Sequence, residues 1–197
     1  MMSPNRNMAA RTVLQLKTRV TLPNVPEEVF SLWLDGFARL KGWNPLSRTW
    51  FDLFGKRSLF EWQNFVWDKQ ELRLADESFT QRTVEIIEDL KRATFFDERN
   101  RFSRIQNSKS RAIRSLHYIE KNLTLPSVLI FVSETGSLDI IDGCHRLAAY
   151  SFFRSKMPDV ASKVVCTAWI ASLRSFLESE EAALTMLELI KTRPKSE

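Results

Sequence analysis

Glycine is scarce in this chain, with five residues among 197, and that shortage argues against an all-β or low-complexity polypeptide. Cysteine is scarcer still. Cys144 and Cys166 are the two present, and they make neither a metal-ligand pattern nor a disulfide framework, which favours a reducing cytoplasmic setting. No apolar run approaches the roughly 18–20 residues that span a bilayer. Residues 1–10 lack the apolar core of a signal peptide and read as the start of a flexible leader over 1–22. What is abundant points to a compact, helix-rich globule: 44% of the residues are hydrophobic and 27% are charged, enough to bury a core of ordinary domain size.

The formal net charge is +5. Its distribution is more informative than its size, because residues 91–114 hold Lys91, Arg92, Arg99, Arg101, Arg104, Lys109, Arg111 and Arg114 against Asp97 and Glu98. Such a stretch either neutralises nucleotide or DNA phosphates, with Arg99, Arg101 and Arg104 as the DNA-binding candidates, or is a solvated, salt-bridged helix face.

The pattern along the chain predicts an α+β fold, a small mixed sheet packed with helices, preceded by a helical, aromatic-rich region over 23–81. Pro26 and the acids Glu27 and Glu28 mark a helix start. Val29, Phe30, Trp33, Leu34, Phe37 and Leu40 recur at helical spacing until Gly42. A short helix is expected between Asn44 and Gly55, and another over 82–96 with Val84, Ile87, Leu90 and Phe95 on one side. Trp33, Trp43, Trp50, Trp62 and Trp67 belong either to a partner-facing surface or to the core of a helical layer.

From residue 82 onward the pattern changes to a mixed helix-and-strand unit extending to 197, for which a family resemblance implies nucleotide binding. Ser108 caps a predicted helix over 109–122, with Ile113, Leu116 and Ile119 inward. Strands are expected over 127–132 and 137–141, joined by a turn at Gly136. A helix over 144–154, a strand over 163–170 and amphipathic helices over 171–192 complete the order.

The chemistry concentrates where the second of these strands meets its helix, at Asp142, Gly143, Cys144, His145 and Arg146, followed by Leu147, Ala148 and Ala149. The first N–H groups of a helix lack intrahelical partners and carry partial positive charge, which favours anions. Gly143 leaves room for a phosphate, His145 offers a polar donor, and Arg146 a cation with a bidentate fork. Asp142 can orient water or act as acid or base; outside the loop, Glu98 is a further acid. Each residue alone has an ordinary reading as a turn, cap, surface charge or small buried hydrophobe.

Together the string resembles the Asp-Gly-x-His-Arg-x-x-Ala signature of the ParB/sulfiredoxin superfamily, over roughly residues 108–171. The resemblance implies that the loop binds ATP phosphates with Mg²⁺ accompanying them, through Gly143, Cys144, His145 and Arg146. It also implies a second phosphate element on the upstream helix, with Lys109, Arg111, Arg114 and Ser115 as candidates. Three activities are implied by different branches. Sulfiredoxin-like repair of a cysteine sulfinic acid would use Cys144 as nucleophile, although Asp142 stands where sulfiredoxins carry glycine. A ParB-like DNA-binding module would need a helix-turn-helix and a Glu-Arg-Arg box that are not apparent here. In size and layout the chain is most similar to the fertility-inhibition and oncogenic-suppression proteins of conjugative plasmids. That likeness implies an ATPase and DNA nuclease with Asp142, His145 and Arg146 as catalytic residues. Such a protein would block substrate transfer through a type IV secretion system and reach the inner membrane through a protein partner. A small-molecule kinase sharing the loop is the remaining alternative.

Overall fold

The computed structural model describes residues 16–17, 20–75, 77–103, 107–134 and 136–173. Most of the expected leader, Arg104, and the part of the expected closing helices beyond residue 173 lie outside the described residues.

The first long helix, α1 (residues 27–41), opens with Glu27 and Glu28 in its first turn and ends at Gly42, whose φ of 74° an L side chain rarely adopts. Its middle, Phe30–Leu34, is π-helical. The π segment takes up an extra residue and rotates the inward face, so Ala38 is buried while Leu40, expected inward, is exposed. Two short helices follow, α2 (Arg48–Leu53) and α3 (Leu59–Asn64), the latter opened by a reciprocal capping box between Ser58 and Glu61.

The expected helical stretch over 23–81 also contains a nine-residue strand, β1 (Phe65–Arg73). Its Val66, Trp67 and Asp68 carry no clear period, but it pairs along its whole length with β4 (Val165–Leu173). Long-range pairing outweighs a weak local pattern here. The other strands are β2 (Leu129–Glu134) and β3 (Ser137–Asp142), and the sheet order is β1-β4-β2-β3. β2 lies parallel to β4 and antiparallel to β3, so the sheet is mixed. Residues 171–173 extend β4 rather than beginning a helix.

The sheet separates two cores, because alternate side chains leave a strand on opposite faces. Leu129 and Phe131 of β2 join Ala168 and Ile170 of β4 on one face. Against that face pack α4 (Gln81–Phe95), α5 (Ser108–Asn122) and α6 (Cys144–Lys156); α7 (Pro158–Ala161) follows α6 and contributes Ala161. On α4 the inward stripe is Thr83, Ile87, Leu90 and Thr94, leaving Val84 partly exposed; on α5 it is Ser108, Ala112, Ser115 and Ile119.

Ile130, Val132 and Ala171 point the other way, into an aromatic cluster of the N-terminal helices. Trp62 is fully buried within it, with ring centroids 5.0 Å from Trp33 and 4.9 Å from Phe65. Its indole N–H donates to the Phe54 carbonyl at 3.2 Å, and that of Trp50 to Gly42 at 2.9 Å. The five N-terminal tryptophans are thus core or half-buried, and the exposed apolar groups of this layer include Leu32, Leu40, Leu46, Phe51 and Phe60. The strand β1 and this cluster join the expected extension to the sheet of the expected nucleotide unit.

A charged knot closes the β3 edge. Asp139 is buried and accepts from Arg57 at 2.9 Å and from Arg82 at 2.8 Å. The Thr83 hydroxyl adds a bond at 3.1 Å while accepting the Ile140 N–H. Arg57 follows α2 and Arg82 opens α4, so one carboxylate ties helices from both sides of the sheet to β3. Burial pushes the Asp139 carboxyl up, but the two guanidinium groups outweigh it and hold it below the usual aspartate range.

Candidate functional site

The strand β3 runs out at Asp142, and α6 begins at Cys144 with Gly143 as the residue between. Gly143 has φ of 108°, a conformation that glycine adopts without a Cβ penalty. The space a Cβ would occupy is not open to a ligand as the sequence suggests. It lies 2.3 Å from a Leu129 methyl and 2.9 Å from the Arg146 guanidinium. Glycine is needed here first because a fully buried Leu129 methyl fills that space, and then because Arg146 folds back over the turn.

Arg146 is held in that position by two neighbours. Its Nη2 donates to Asp142 at 2.6 Å, and its Nη1 donates to the Ser127 hydroxyl ahead of β2. The Asp142 side chain is 42% exposed and keeps water around much of its carboxylate. Its first role is therefore to hold Arg146.

The helix α5 supplies the opposite wall. Arg111, Arg114 and Ser115 line the same cleft, of about 530 Å³, as Asp142, His145 and Arg146. Three arginines meet one aspartate there, an excess of positive charge that favours anions, beside the N-terminal turn of a thirteen-residue helix. The expected convergence of the two elements is present in the fold. Ser115 is buried and donates to the Arg111 carbonyl at 3.0 Å, so its hydroxyl is engaged by its own helix.

Lys109 is not part of this wall. It pairs with Asp97 and lines a neighbouring hollow, because its position on α5 turns it away from α6.

Ser108 has a different place from the one its sequence suggests. Asn107, with φ of 64°, is the residue before α5, and Ser108 stands inside the first turn. Its hydroxyl is 2.9 Å from His145 Nε2, which ties the start of α5 to the start of α6. The other ring nitrogen of His145 lies 3.6 Å from the Cys144 sulfur. Burial, followed by the charge of Arg111, pulls the His145 pKa below the usual histidine range, with Asp142 opposing and Arg146 adding to the fall. A ring so placed is neutral at pH 7 and serves as a polar hydrogen-bonding group without adding charge.

Cys144 departs from the thiolate that a sulfiredoxin-like nucleophile would need. Burial, then the Asp142 charge, pushes its thiol above the usual cysteine range, against the opposing pull of backbone N–H groups and Arg146. On the expectation that the loop binds and turns over ATP, replacing Cys144 with serine should leave both nearly intact, and steady-state assays on the variant check this. A dead Cys144→Ser enzyme that still binds nucleotide would restore a cysteine mechanism.

The basic stretch is divided by the fold. Arg111 and Arg114 go to the cleft, Lys91 pairs with Glu88 at 2.6 Å, and Arg101 pairs with Asp89 at 3.1 Å. Arg99 and Arg101 line an open hollow after α4, away from the cleft. Arg101 also lies 4.9 Å over the Phe102 ring. Glu98 does not reach the cleft; its backbone N–H donates to Arg92 at 3.2 Å. Among the described residues, no group of three or more His, Cys, Asp or Glu side chains gathers as a metal site, and no helix is long and apolar enough to cross a membrane.

Sequence reasoning missed Leu32, Tyr118 and Pro126 on the cleft wall and Ser127 beneath Arg146. Tyr118 had a signal, since it continues the stripe of Arg111, Arg114 and Ser115 at helical spacing. Leu32 had none, because the contact depends on how α1 lies against the sheet. Compared with known proteins, the chain matches no family model, no curated protein and no solved structure.

Proposed function

We propose that this chain is a nucleotide-binding enzyme that holds the phosphates of ATP between α5 and α6 and hydrolyses it. The observation that carries this reading is the meeting of Arg111 and Arg114 with Arg146 on one cleft, at the start of α6. Phosphoryl transfer depends on positioning and charge neutralisation more than on covalent chemistry. Three guanidinium groups suit that need, and His145 adds a neutral polar group. Mg²⁺ would arrive with the phosphates and offset their charge, and Asp142 is the acidic side chain on the cleft wall able to face it or a bound water. MgATP should raise the melting temperature of the full chain, since a ligand at a hundred times its Kd stabilises by about 2.7 kcal/mol. No shift with any nucleoside triphosphate, together with no phosphate release, would remove the reading.

The finer assignment rests on the resemblance to fertility-inhibition and oncogenic-suppression proteins. On that reading the protein also binds and cleaves DNA and blocks transfer through a type IV secretion system. Two features support a DNA contact: the exposed Arg101 side chain, and the hollow it shares with Arg99 outside the cleft. Alanine at Arg99, Arg101 and Arg104 together should reduce the slope of log affinity against log salt by about two to three units, at about 0.9 per phosphate contact. Arg101 must leave Asp89 to contribute its share. An unchanged slope and unchanged cleavage in the triple variant would leave the stretch as a salt-bridged surface.

The raised Cys144 thiol pKa weighs against the sulfinic acid reductase alternative.

A further inference from the structure

The cleft between α5 and α6 has an apolar part that phosphate binding does not use. Leu32 and Tyr118 share its wall with the arginines. Tyr118 lies seven residues beyond Arg111 on α5, on the same stripe, which places it about 10 Å further along the helix axis. The bond between Ser108 and His145 sets the start of α5 against the start of α6. The α5 arginines of the cleft run from Arg111 to Arg114, and Tyr118 stands roughly 6–10 Å further along the axis, a span that a ribose and a diphosphate bridge.

Leu32 reaches this wall from the other side of the sheet. It is 45% exposed, while its neighbours Phe30, Trp33 and Leu34 are buried in the aromatic core. All four belong to the π-helical segment of α1. Such segments are rare, cost regular helical geometry, and occur often at functional sites. Tyr118 is 40% exposed, so both side chains present large apolar surface inside a concave wall beside cations. Concave sites that pair apolar surface with a few fixed charges are the usual form of a small-molecule pocket.

We propose that Tyr118 and Leu32 form the base-binding part of the nucleotide site, an inference that rests on the nucleotide reading above. The base stacks on the Tyr118 ring and packs against Leu32, so the N-terminal aromatic layer supplies one wall of the site. Recognition by a ring face and an alkyl group reads flatness and area. It favours purines over pyrimidines and separates adenine from guanine poorly, because neither side chain reads a base edge.

The test is calorimetric titration of the full chain with MgATP, MgCTP and inorganic tripolyphosphate. Tyr118→Ala should weaken MgATP roughly 5- to 150-fold, the range for loss of an aromatic–base stack. Its affinity for tripolyphosphate should stay unchanged, and Tyr118→Phe should preserve both. Leu32→Ser should weaken MgATP and spare tripolyphosphate in the same way. An equal loss for both ligands, or no loss for MgATP, overturns the base subsite. Wild-type protein that binds tripolyphosphate as tightly as MgATP overturns it as well, while leaving the phosphate site standing. Wild-type protein that binds neither ligand overturns the nucleotide reading itself.

Discussion

Alanine in place of Asp139 should cost the fold about 3–5 kcal/mol, the range for removing one partner of a buried ion pair. The reason lies in what remains. Arg57 is buried with the carboxylate, its side chain 10% exposed, so the substitution leaves a cation that water reaches poorly. Arg82 is 48% exposed and regains solvent, so the loss is dominated by the Arg57 arm. Set against a total stability of about 5–15 kcal/mol for a typical domain, the expected loss brings the protein close to unfolding. Urea denaturation measures it directly, and a change below about 1 kcal/mol would mean the knot is ornamental.

The same carboxylate makes stability depend on acid. Its folded pKa lies below the unfolded value, so its contribution is complete above the ordinary aspartate pKa near 3.9 and is lost as pH falls through the folded value. Wild-type stability should therefore fall as pH drops below about 4. Asp139→Asn, already lacking the charge, should show a flatter profile there.

The second large effect is at Arg146. Its replacement by alanine should weaken MgATP about 100-fold or more, since each hydrogen bond to a charged partner contributes about 1.5–3 kcal/mol and a guanidinium can offer two. Basal stability should change far less, because the Asp142 carboxylate left behind is 42% exposed and regains water. Arg146→Lys should fall between the two, retaining charge and losing the fork. The measurement pairs nucleotide titration with thermal unfolding of the same variants. Undiminished affinity in Arg146→Ala would refute the phosphate assignment. Loss of affinity in step with loss of fold would reduce Arg146 to a brace for the turn at Gly143.

The strand-to-helix unit from β2 to α6 was legible from residues alone because its signals are local. A β-branched run, a glycine turn, a second apolar run and an Asp-Gly ahead of an alanine-rich helix each act within a few residues. The candidate loop at 142–146 was legible for the same reason, whereas the α5 candidates Lys109, Arg111, Arg114 and Ser115 came from the family resemblance, and Lys109 does not line the cleft. Amphipathic spacing likewise located α1 and α4 to within a residue or two, although the π segment moved Leu40 out of the stripe.

Other features were decided by contacts between distant segments. β1 exists as a strand because β4, a hundred residues later, offers its edge. The space beside Gly143 is filled rather than open, since a Leu129 methyl from β2 and a guanidinium tied to Ser127 and Asp142 both close on the turn. Cys144 holds its proton because burial and Asp142 outweigh the helix terminus, a balance that sequence spacing cannot express. Lys109 left the site and Leu32 entered it according to how whole helices lie against the sheet. Sequence by itself determined which residues could bind an anion, because charge and helical period are local properties. Tertiary structure decided which of them share one cleft, because burial and through-space charge depend on what the rest of the chain brings alongside.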